Sequence, residues 1–345
     1  MLAAIFYAPN NIILQQVPIA LRQAIMLKVS ACAVCGYDVR VFRKGHRKVS
    51  PPVILGHELC GQIQGDVRMD GIMMKAGSRV AVCPLIPCLH CPYCQGNKYN
   101  LCINLREIGS TLNGGFAQYV AIPEQVIKIG GLVPVPESLT DEEAALLEPL
   151  ACCMNSFSRI APVANASSVV IIGDGPMGLI HLQLFKRLSS SRIAIVGKVP
   201  SRMEKARVMG ADAVFSYSDR TVADVLDFAG ACSGANIIVI ATSNPAAFGL
   251  ATKIAGRNCK INVFAGMPSG QTFVLDANWL HYNQISITGS FSSTPEMLSE
   301  AARIVSEKTI DLSAIVTHKY SLEEIEKAIE ATEKYYGLRA VINKF

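Results

Sequence analysis

Four cysteines stand within fifteen residues: Cys88, Cys91, Cys94 and Cys102, in the run CLHCPYCQGNKYNLC. Steps of three, three and eight let four thiolates converge on one tetrahedral ion, the ligand set of a structural Zn²⁺. Such an ion folds a lobe with little apolar core of its own, here about residues 84–105. Two disulfides are the competing reading, and the metal-like spacing speaks against them. A second set is mixed in character. Cys35 lies in VCGYD, His57 and Glu58 in ILGHEL, and Glu148 in LLEPL. One thiolate, one imidazole and one or two carboxylates suit a catalytic zinc, which keeps a position for water or substrate. Taken singly, each has a plainer reading: His57 as a structural histidine, Glu58 as a surface carboxylate, Glu148-Pro149 as a helix-to-loop junction. Cys32 and Cys35 also form a CxxC, but no thioredoxin-like pattern surrounds it.

A third motif is the turn Gly173-Asp174-Gly175-Pro176-Met177-Gly178. It follows the β-branched run SSVVIIG and opens PMGLIHLQLFKRL, with apolar residues at 177, 180, 184 and 188. A second strand, RIAIVG, comes next. Strand, glycine turn, helix and strand form the context in which GxGxxG binds a dinucleotide. The glycines admit backbone N–H groups to a pyrophosphate, and the helix N-terminus adds positive potential.

The elements that must position these groups divide the chain. Residues 1–152 alternate short apolar runs with Gly/Pro turns, which predicts a β-rich domain carrying the lobe. From 153 to 290 the rhythm is strand then helix. Strands are predicted at 167–173, 192–197, 213–217, 236–242, 260–266 and 285–290, with helices near 176–188, 201–209, 221–229 and 245–255. Six such strands imply a doubly wound parallel sheet, and the fold class is α/β. In residues 291–345, Thr294-Pro295 and Ser321-Leu322-Glu323-Glu324 start two helices.

At 345 residues the length suits two domains, and 50% hydrophobic residues can fill two cores. Twelve cysteines and an N-terminus without a basic leader point to a reducing cytoplasm and metal use. No run approaches a membrane span. The net charge is +5. The one basic cluster, Arg43-Lys44-Gly45-His46-Arg47-Lys48, lacks interleaved aromatics, which argues against nucleic acid. It reads as a solvated loop or as a rim attracting an anionic substrate.

Taken together, CGYD, GHE, the four-cysteine lobe, GGFAQYV, LLEPL, GDGPMG and SLEEIEKAIE resemble the zinc-containing medium-chain alcohol/polyol dehydrogenases, in the branch of sorbitol, threonine and galactitol-phosphate dehydrogenases. The resemblance implies a GroES-like catalytic domain, a Rossmann cofactor domain, and a last strand, RAVINKF, returning to the catalytic domain. It implies two zincs per chain, a small alcohol or polyol substrate, and a homodimer or homotetramer. Cys35 and His57 would hold the catalytic ion. Glu58, Glu148 or a water would complete its shell, and Asp38 would orient His57. Arg339 would lie near a cofactor pyrophosphate.

This chain also departs from the family. Tyr37 stands where members carry Ser or Thr, and Arg40 where many carry a histidine, so the proton path is expected to differ. Ser292-Ser293 replace the Arg-Tyr of sorbitol-type members. The second strand ends in Gly197 where NAD sites place an acid for the ribose 2′-OH, and Lys198, Ser201 and Arg202 follow. A missing carboxylate and two added cations predict NADP(H) over NAD(H). The competing function is a non-catalytic NADPH-binding or redox-sensing protein on the same fold.

Overall fold

The computed structural model describes residues 1–19, 25–69, 71–163, 167–230 and 234–345. Two compact units result: Met1–Ala151 with Ser292–Phe345, and Cys152–Phe291. The chain is a mixed α/β protein with a β-rich part and a Rossmann-like parallel sheet.

In the first unit a seven-stranded sheet carries the core. Its path runs Leu132–Pro134, Arg79–Val82, Glu58–Ile63, Ile25–Ala33, Arg339–Lys344 and Val316–Ser321, with Tyr119–Ile122 also paired to Ile25–Ala33. Alternating burial along these strands faces Leu27, Val29, Leu59, Ile63 and Ile342 into one apolar cluster. The strand Arg339–Lys344 lies between Ile25–Ala33, antiparallel to it, and Val316–Ser321, parallel to it. Ala33 pairs with both Glu58 and Val341. That register brings three strand ends together, which places Cys35, Glu58 and Arg339 in one neighbourhood.

One element departs from the sequence reading. Gly36–Lys44 is a helix, so Arg43 and Lys44 of the basic cluster sit in its last turn rather than in a loop. Val39, Val41 and Phe42 bury its inner face. Asp38 and the terminal cations complement its dipole, and Gly45 ends it at φ +68. Later in the chain, Pro295–Ser306 and Ile325–Glu333 are the expected helices, the second entered through a capping box at Ser321 and Glu324.

The second unit is a six-stranded parallel sheet. Its order is Ala213–Ser216, Arg192–Gly197, Ser168–Ile172, Ala235–Ile240, Ala255–Val263 and Ser286–Gly289. The order reverses beside Ser168–Ile172, the strand that feeds the glycine turn; ligands of such sheets bind at this place. Ser168–Ile172 is buried throughout, as a strand covered on both faces must be. The helix Pro176–Leu188 follows with Pro at its first position. It lies so close to the turn that a Cβ on Gly178 would come 1.9 Å from the Gly173 carbonyl oxygen.

That helix buries a histidine. His181 Nδ1 donates to the Met177 carbonyl at 2.8 Å, its ring stands edge-on to Phe264, and Nε2 is buried without a partner. Burial pushes its pKa down to about 4. The folded state therefore binds fewer protons than the unfolded state between about pH 6.5 and 4, and stability falls as pH drops through that window. The span corresponds to about 3 kcal/mol. His181→Leu is expected to flatten this part of the pH–stability curve. Urea midpoints at pH 7 and pH 4.5 measure it, and an unchanged slope refutes the assignment.

Candidate active site and metal centres

The lobe is the simpler centre. The sulfurs of Cys88, Cys91, Cys94 and Cys102 all lie within 4.8 Å of one another. Cys91 and Cys94 are 3.5 Å apart, Cys88 and Cys94 3.9 Å. Tetrahedral bonds of about 2.3 Å put sulfurs roughly 3.8 Å apart. A disulfide needs about 2.05 Å, so the competing reading finds no support here. The Cys88 N–H donates to Cys102 Sγ at 3.2 Å. Backbone donors near Ile103 and Cys94 pull the Cys91 thiol down to about 6. Among the described residues, the hydrophobic side chains that pack into this cluster besides the cysteines are Tyr99 and Leu105, a small apolar core that a bound ion would supplement.

The second centre sits where the three strand ends meet. One ligand atom each from Cys35, His57 and Glu58 lie within 4.8 Å of one another. Cys35 directly precedes the helix Gly36–Lys44, and its N–H donates to Asp38 Oδ2 at 2.8 Å. His57 follows Gly56, whose φ is +93 and whose carbonyl is crowded by Gly109 and Gly114. A Cβ on Gly114 would lie 2.2 Å from that oxygen, so GGFAQYV is needed to seat the histidine. Asp38 Oδ1 faces His57 Nδ1 at 3.6 Å and has no hydrogen bond of its own. Burial disfavours a charged imidazole, yet Asp38 and Cys35 outweigh it and hold His57 well above its ordinary value.

Glu58 is 1% exposed. Its Oε1 pairs with Arg339 Nη2 at 3.2 Å, while Oε2 is buried with no hydrogen-bond partner. An orphaned carboxylate oxygen beside a thiol and an imidazole is the donor set a divalent cation satisfies. Glu148 is buried in the first turn of Leu147–Ile160 and is not part of this ligand group. Arg339 is buried against Glu58, and its Nη1 donates to the Val34 carbonyl at 3.2 Å.

Beside the centre, Tyr37 lies edge-on to both His57 and His46, with centroids 5.7 and 5.2 Å away. Its hydroxyl is 2.9 Å from Ser110 Oγ and 3.4 Å from His46 Nδ1. Burial raises the phenol above its ordinary value, so it keeps its proton at neutral pH. Partial burial and the cations Lys48, Arg47 and Arg40 lower His46, which is therefore neutral. The Lys48 N–H donates to Nδ1, marking that nitrogen as the acceptor. Sequence reasoning named Tyr37 and missed Ser110 and His46 as its partners. Arg43 pairs with Glu333, which its Nε meets at 3.0 Å, and Lys48 Nζ lies 3.6 Å from Glu107; Arg40 and Arg47 are the other cations near His46.

At the glycine turn, Gly175 is the N-cap of Pro176–Leu188, and Pro176, Met177 and Gly178 form its first turn. A Cβ on Gly175 would meet only Arg202 Nη1, at 3.8 Å. The cradle is thus open in front of the turn, as a phosphate requires. Lys198 and Ser201 are exposed, and Arg202 is buried. Lys198 Nζ lies 5.2 Å over the Tyr217 ring.

Known proteins resemble this chain over nearly its whole length. Residues 22–136 match the alcohol dehydrogenase GroES-like domain, and 176–307 the zinc-binding dehydrogenase domain. Sorbitol dehydrogenase of Bacillus subtilis is 28% identical over 336 residues, covering 96% of this chain and 93% of that protein. D-arabitol-phosphate dehydrogenase of Enterococcus avium is 28% identical, covering 94% and 91%. A zinc-binding dehydrogenase of Sinorhizobium meliloti, solved bound to NADP, superposes with a TM-score of 0.87 at 25% identity, covering 99% and 98% of the two chains. Among the described residues no helix is long and apolar enough to cross a membrane.

Proposed function

The chain belongs to the zinc-containing medium-chain polyol dehydrogenases, and we propose that it transfers a hydride between an anionic secondary alcohol or polyol and NADP(H). The observation that carries this reading is the convergence of Cys35, His57 and Glu58 around the orphaned Glu58 oxygen. Cys35 and His57 would hold a catalytic zinc, with Glu58 or a water completing its shell, and Cys88, Cys91, Cys94 and Cys102 a structural one. When bound, the catalytic ion supplies a Lewis acid and the nicotinamide a hydride acceptor.

The chain's own groups do the rest. Asp38 orients His57 through Nδ1 and Cys35 through its N–H. Tyr37, still protonated, carries the substrate's hydroxyl proton outward to His46 or Ser110, and exposed His46 hands it to water. This path replaces the Ser/Thr relay of the family. Arg40 and Arg47 near His46, with Lys48 paired to Glu107, supply the field for a phosphorylated or carboxylated substrate.

For the cofactor, the side-chain-free Gly197, exposed Lys198 and Arg202 near Gly175 support NADP(H). So does the NADP bound by the Sinorhizobium relative. Homodimers or homotetramers and a cytoplasmic site accord with the family.

An NADP⁺-reduction screen over sugar alcohols, their phosphates, hydroxy-amino acids and diols tests the proposal. Anionic polyols are expected to exceed their neutral parents by about tenfold in kcat/KM, with the advantage shrinking as salt rises. Titration is expected to give NADPH a lower Kd than NADH. No turnover on any substrate, with only one zinc per chain, would leave the non-catalytic reading standing.

A further inference from the structure

The place at the end of the second parallel strand is not empty. Asp174, the variable residue inside the glycine turn, reaches across to it. Its Oδ2 accepts the N–H groups of Lys198 at 2.8 Å and Val199 at 2.7 Å. A Cβ built on Gly197 would lie 2.6 Å from both Asp174 Cβ and Oδ2, and 2.7 Å from Cγ. Real Cβ atoms essentially never come that close to a non-bonded atom, and Asp174 is itself 9% exposed and fixed by two hydrogen bonds. Gly197 is therefore bare because Asp174 fills the space its side chain would need.

We propose that Asp174 is the specificity-determining residue of the dinucleotide site, acting as a positioning residue through the Gly197–Val199 turn. It does two things at once. It excludes the acid that would otherwise grip a ribose 2′-OH from residue 197. It also ties down the backbone of the turn that presents Lys198, with its own charge absorbed by two amide donors. The two positions form an exchange pair, in which one may carry a carboxylate and the other may not. This rests on reading 168–197 as the cofactor site. A carboxylate at 197 cannot coexist with Asp174, because atoms would overlap and two anions would share one niche.

The test uses the full-length, zinc-loaded protein, with thermal midpoints and NADPH and NADH binding followed by fluorescence. Gly197→Asp alone is expected to lower the midpoint by about 5 °C or more and to weaken both cofactors. Asp174→Gly with Gly197→Asp is expected to recover most of that loss. It should also shift the NADPH-to-NADH affinity ratio toward NADH by about tenfold or more, the gain from adding a carboxylate to the ribose 2′-OH and its repulsion of the 2′-phosphate. Should Gly197→Asp fail to fold, Gly197→Ala carries only the overlapping Cβ, and Asp174→Gly should rescue it. A single Gly197→Asp protein with the original midpoint and an NADH preference would overturn the proposal, as would a double variant no better than the single. Wild-type protein preferring NADH would instead count against the NADP(H) reading and leave the exchange pair intact.

Discussion

Cys35→Ala is expected to lower turnover by at least about a thousandfold while the protein stays folded. A Lewis-acid ion supplies several kcal/mol of charge stabilisation, and each 1.36 kcal/mol is tenfold in rate. Removing the thiolate leaves His57 and Glu58, too few protein ligands to retain that ion. Metal analysis should find one zinc fewer per chain than in the wild type. The fold should survive because Cys35 is only half-buried and the helix behind it is anchored by Val39, Val41 and Phe42. A variant with unchanged zinc content and turnover within tenfold of wild type would remove Cys35 from the ligand set.

Cys94→Ser is expected to act the opposite way, on stability first. The lobe has only a small apolar core beside its four sulfurs, and structural zinc in small peptides supplies about 10–16 kcal/mol of apparent binding energy at neutral pH. The variant should lose one zinc, open to proteolysis within residues 88–105, and drop its thermal midpoint by about 10 °C or more. A strong chelator should do the same to the wild type. If the midpoint and the cleavage pattern are both unmoved, no ion folds this lobe.

How much of this was legible in the sequence depended on range. The lobe could be read because its ligands are neighbours in the chain and need only a turn to meet. The parallel strands could be read because burial on both faces leaves unbroken apolar runs, and the helices at 176–188 and 221–229 because apolar residues recur at helical spacing. The helix Gly36–Lys44 was passed over although Gly45 and the terminal cations mark its end. It is short, and its polar face hides its period. The tyrosine's partners were out of reach: Ser110 lies 73 positions away and has no motif around it. Arg339 shows the same limit: its pairing with Glu58 depends on how three strands meet. Asp174 is the reverse case, a residue in plain view inside a known motif, whose effect on residue 197 depends on how two turns abut.

The position of Arg339–Lys344 inside the sheet bears on how the protein is born. Synthesis proceeds from the N-terminus, so Cys35, His57 and Glu58 exist long before the cation that balances Glu58. Before that strand is made, the carboxylate lacks its counter-charge, so Glu58 reaches its final electrostatic balance only when Arg339–Lys344 is in place between Ile25–Ala33 and Val316–Ser321.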